Sequence, residues 1–70
     1  MGRRKDDRIE LIHLRKAKGL TQRELAKEVG IPYTTIASYE TTKDNPTLKN
    51  AMALAEYFGI PVTQIKFGGK

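Results

Sequence analysis

Residues 21–40, TQRELAKEVGIPYTTIASYE, leave few folds open to this chain. Leu25, Ala26 and Val29 recur at helical spacing in the first half, and Ile36 and Tyr39 in the second. Gly30-Ile31-Pro32 stands between them. Two amphipathic helices of about eight residues, joined this tightly, cannot lie antiparallel and must cross steeply. A steep crossing needs a small side chain at the contact, which Ala26 supplies, and a free backbone at the turn, which Gly30 supplies. The stretch predicts a helix-turn-helix.

Composition narrows the function. A single domain of 70 residues buries only about 60 % of its unfolded surface, so the helices must pack well or the chain must associate. It has no cysteine, hence neither disulfide nor thiolate metal site. No apolar run approaches the roughly 20 residues a membrane span needs. Met1-Gly2 is followed by Asp6 where myristoylation wants Ser or Thr. These features predict a soluble, cytoplasmic protein. Thirteen Lys and Arg against eight Asp and Glu give a net charge of +5, which favours a polyanionic partner. One histidine, His13, read as a surface residue, no pair of carboxylates in a cleft and no glycine-rich phosphate loop leave an enzyme the least supported class. No catalytic residue, metal or cofactor is expected.

The chain divides into a flexible basic arm at 1–6 with Arg3, Arg4 and Lys5, a helical domain at 7–66, and a short tail at 67–70. A first helix is predicted over 7–18, capped by Asp7 with Glu10, lined inward by Leu11 and Leu14, widened by Ile9 and Ile12, and ended by Gly19. Thr21 with Glu24 forms a capping box for the second, and its free N–H groups form an anion site. The third opens after Pro32, without a side-chain cap. A fourth helix is predicted over 47–58, with Thr47 as N-cap and Gly59 as stop. Leu48, Ala51, Met52, Leu54, Ala55 and Phe58 give it a wide apolar face. A short fifth is predicted over 60–65, with Val62 and Ile65 inward. Phe67 has no evident core partner.

An ordered set of residues then resembles a known family. The set is Gly19-Leu20-Thr21-Gln22, Glu24-Leu25-Ala26, Val29-Gly30-Ile31, Thr35-Ile36, Tyr39-Glu40, Asn45-Pro46-Thr47-Leu48, Ala55 and Phe58-Gly59-Ile60. It is similar to the lambda-repressor-like (Cro/repressor, XRE-type) helix-turn-helix regulators of bacteria and phage, without a gap over about residues 9–66. The resemblance implies a compact all-α, five-helix domain that binds double-stranded DNA with its third helix in the major groove. In that pose Tyr33, Thr34, Ala37 and Ser38 face the bases, with Thr35 beside them. Gln22 is carried over from the family as a residue that contacts phosphate and supports base reading. Thr41, Lys43 and Asn45 match the family's backbone-contacting positions, joined by Thr21 and Lys49. Arg15 and Glu40 match a salt-bridged pair, with Arg15 also near phosphate. Two departures are Pro32, where relatives place Ser, and Thr42, where glycine is common.

One helix covers too few base pairs to be selective, so a homodimeric repressor on a pseudo-palindromic operator is expected. Phe67, Ile65 and the corner between helices 4 and 5 are the candidate dimer surface. The alternative is an antitoxin or adaptor whose main partner is another protein; the near absence of sequence beyond the five helices argues against it.

Overall fold

The structure, a computed structural model, describes residues 8–41 and 46–68. Among these, four α-helices follow one another: α1 (Leu11–Ala17), α2 (Gln22–Val29), α3 (Tyr33–Thr41) and α4 (Leu48–Phe58). Two short strands, β1 (Ile9–Glu10) and β2 (Ile65–Lys66), flank the helices in sequence and pair in parallel, Ile9 beside Ile65 and Glu10 beside Lys66.

The middle of the chain folds as its local chemistry dictates. The Thr21 hydroxyl accepts the Glu24 N–H at 3.0 Å, and the Glu24 carboxylate accepts the Thr21 N–H at 2.8 Å, so both halves of the capping box are made. Thr47 caps α4 by accepting the Asn50 N–H at 3.1 Å. The Pro32 carbonyl starts α3 by accepting the N–H groups of Thr35 and Ile36. Between α2 and α3, Gly30 takes the left-handed conformation, φ 72°, and its N–H returns to the Ala26 carbonyl. A Cβ added at Gly30 would meet nothing within 4 Å, so the demand for glycine there is conformational rather than steric. Gly30→Ala is therefore expected to cost about 1 kcal/mol and to lower Tm by about 4–8 °C. An unchanged melting curve by circular dichroism would show that the turn relaxes at no cost.

Both ends of the domain depart from the sequence reading. The all-α helix-turn-helix fold holds, but in place of the fifth helix the described residues have four α-helices, a 3-10 turn at Val62–Gln64 and the short β1–β2 pair. The reason is pairing between segments far apart in sequence. Ile9 and Glu10 are drawn into extended backbone beside Ile65 and Lys66, so α1 begins at Leu11, with Glu10 as an N-cap that makes no side-chain cap bond. A two-residue ladder leaves no readable alternation. Asp7, the expected cap, lies outside the described residues, as does the basic arm.

The core joins Leu11 of α1, Leu25 and Ala26 of α2, Ile31 of the turn, Ile36 and Tyr39 of α3, Leu54 and Ala55 of α4, and Ile65 of β2. Leu14, Val29, Phe58 and Val62 pack around it, half-buried. The apolar face of α4 is narrower than expected. Leu48 and Met52 are 71 % and 54 % exposed, while Ala51 between them is buried. Two residues of the expected dimer surface are engaged within the domain. Ile65 is buried, and Phe67 packs edge-on against Tyr39 with ring centroids 5.6 Å apart.

Candidate nucleic-acid interface

α3 is held on its inner side and open on its outer side. Inward, Ile36, Tyr39 and Glu40 are buried. Glu40 is the point where three helices meet. Its carboxylate accepts from Arg15 of α1 (Nε at 2.6 Å, Nη2 at 3.1 Å) and from Gln22 Nε2 of α2 at 2.9 Å. Arg15 also donates from Nη1 to the Leu20 carbonyl at 2.8 Å. Among the described residues, no buried side-chain nitrogen or oxygen lacks a partner. Such a charge-assisted network fixes the pose of a helix more than it adds to stability.

Tyr39 pins the end of α3. Its hydroxyl accepts from Asn50 Nδ2 of α4 at 3.0 Å, its ring receives Phe67, and its carbonyl accepts the Gly68 N–H. Neither Asn50 nor Phe67 was assigned this part by the sequence. Their partners stand on other elements, and nothing local to either residue announces them.

The outward face carries Tyr33 and Thr34, both exposed, then Thr35, Ala37 and Ser38, half-buried. Glu40 is the sole charged residue of α3, and it is turned inside. An outward surface of hydroxyls, one methyl and one ring has no carboxylate to repel phosphate and no ammonium needing its own hydration. It can approach a groove closely. The flanking residues fall around it. Thr21 and Lys49 are exposed at the starts of α2 and α4, and Thr41 is exposed at the end of α3 with its hydroxyl donating to the Ala37 carbonyl at 2.9 Å. Lys43 and Asn45 lie outside the described residues. Arg15 is 8 % exposed and turns three of its N–H groups to protein acceptors, a placement suited to holding α3. His13 lies at the surface, 4.0 Å from Glu10.

One basic residue escaped the sequence reading. Arg23, exposed on α2, places its guanidinium carbon 4.1 Å from the centroid of the Tyr33 ring. The pair spans the turn, and no periodicity within either helix marks it.

Comparison with known proteins agrees with this geometry. A helix-turn-helix family model matches residues 11–65. The chain belongs to the XRE-type helix-turn-helix family. Among members of this family, it is 38 % identical over 56 residues to an uncharacterised HTH-type transcriptional regulator of Methanocaldococcus jannaschii, covering 80 % of this chain and 85 % of that one. It is 31 % identical over 52 residues to the cryptic phage CTXphi transcriptional repressor RstR of Vibrio cholerae, covering 74 % of this chain and 47 % of the repressor. Over 50 residues it is 36 % identical to antitoxin HipB of Escherichia coli K12, covering 71 % of this chain and 57 % of the antitoxin. The chain thus spans about half the length of the last two relatives. No solved structure gives a significant match. DNA-binding transcriptional regulation is the activity of this family. Among the described residues, no helix is long and apolar enough to cross a membrane, and no cluster of His, Asp or Glu is placed to hold a metal ion.

Proposed function

We propose that this regulator is a cytoplasmic, nucleoid-associated repressor that binds double-stranded DNA sequence-specifically as a homodimer on a pseudo-palindromic operator. It acts by occupancy, without chemistry on the DNA. The observation that carries the reading is α3 itself: locked from behind through Glu40 and Tyr39, and uncharged on the face turned to solvent. In this reading Tyr33, Thr34, Thr35, Ala37 and Ser38 meet base edges in the major groove, and Gln22 supports them from α2. Thr21, Thr41 and Lys49, with Lys43 and Asn45 of the loop after α3, hold phosphates. Arg15 serves as a positioning residue. The similarity to a phage repressor supports repression.

A second reading, an antitoxin or adaptor whose main partner is a protein, is favoured by the similarity to antitoxin HipB. Selection of bound duplexes from a random pool at near-physiological salt separates the two. The repressor reading predicts an enriched palindrome with half-site centres about 34 Å apart. An unenriched pool, with binding that collapses as salt rises, would leave only nonspecific phosphate contact and turn the search to a protein partner.

A further inference from the structure

Two arginines stand near α3, and their donors are used in opposite ways. Those of Arg15 are directed to Glu40 and Leu20. Arg23 makes no hydrogen bond or ion pair with any described residue; its guanidinium lies over the Tyr33 ring. A guanidinium settled over an aromatic ring is ordered while its N–H fork stays open to an acceptor. The nearby carboxylate of Glu24 is engaged by the Thr21 N–H of the capping box. The fork is thus preorganised, and no described residue accepts from it.

We infer that Arg23, seated on Tyr33, reads a guanine through O6 and N7 in the major groove at one edge of the half-site. The inference rests on the DNA-binding function proposed above. The location supports it: Tyr33 is the first residue of α3, and helices of this kind meet base edges at their N-terminal end. The chemistry supports it as well. The outward face of α3 offers only single hydroxyls, a methyl and the ring, none of which distinguishes guanine well. A guanidinium fork matches the paired acceptors of guanine in two hydrogen bonds. Arg23 therefore supplies, from α2, the bidentate donor that α3 lacks. Tyr33 is the positioning residue for it, and its ring rather than its hydroxyl does the positioning.

The test repeats the pool selection with Arg23→Ala, Arg23→Lys, Tyr33→Ala and Tyr33→Phe, each first checked for an unchanged melting curve. Wild type should select guanine at one position per half-site, and Arg23→Ala should lose that preference alone. Affinity for the selected operator should fall about 5- to 150-fold, with affinity for the operator altered at that base nearly unchanged. Arg23→Lys should not restore the preference, Tyr33→Phe should keep it and Tyr33→Ala should weaken it. Placing 7-deazaguanine at that position should weaken wild type and leave Arg23→Ala unaffected. A uniform loss across all duplexes, with a salt slope smaller by about one and base preference intact, would make Arg23 a phosphate contact and overturn the inference. So would a selected site identical to that of wild type at unchanged affinity. Wild type with no enriched site at all would overturn the DNA-regulator reading and this one together, which keeps the two failures distinct.

Discussion

Replacing Glu40 with alanine is expected to cost about 3–5 kcal/mol, because it strands the guanidinium of Arg15, whose side chain is 10 % exposed. A domain of 70 residues has roughly 3.5–10 kcal/mol of stability in total. Glu40→Ala should therefore remove a large share of that stability and lower Tm by tens of degrees. Urea and thermal melts followed by circular dichroism read this directly. The double replacement Arg15→Met with Glu40→Leu should recover most of the loss, since a buried ion pair adds little over a well-packed apolar pair. That double variant also separates stability from pose. It should fold, yet bind the selected operator more weakly, because Gln22 has lost the carboxylate that orients it. A cost below about 1 kcal/mol for Glu40→Ala would mean that water readily reaches Arg15, and the positioning role would fall with it.

The second large effect contrasts two leucines of α4. Leu54 is completely buried in the core, and Leu48, six residues earlier, is 71 % exposed. Leu54→Ala removes buried methyl groups and leaves a cavity among the helices, for a loss of about 2–5 kcal/mol. Leu48→Ala should change stability by less than about 0.5 kcal/mol. The same denaturation curves decide it. Comparable losses at both positions would show that the first turn of α4 packs against something in solution.

Those two leucines also mark where the sequence stops being readable. Helical period, capping boxes and glycine stops are local, so α2, α3 and α4 and the caps at Thr21, Thr47 and Gly59 could be located from neighbouring residues alone. Exposure is a property of the packed whole. The period places Leu48 and Met52 on the apolar side of α4, and only the positions of the other helices leave them uncovered. The parallel pairing of Ile9 with Ile65, the seat of Phe67 on Tyr39 and the Asn50–Tyr39 bond likewise join distant segments. The candidate interface divides in the same way. Its α3 face follows from helical spacing, and the Arg15–Glu40 pair from resemblance. Arg23 belongs beside Tyr33 only once α2 and α3 have crossed.

The central claim is that the outward face of α3 meets base edges. The most direct measurement is a proton–nitrogen correlation titration of the full chain with a duplex carrying its selected site, followed by intermolecular proton–proton contacts. The account predicts perturbations centred on Tyr33, Thr34, Ala37 and Ser38, with contacts from Ala37 or Tyr33 to thymine methyl or cytosine H5 protons in the major groove. Perturbations centred instead on Leu48 and Met52, or contacts confined to sugar and phosphate, would contradict it.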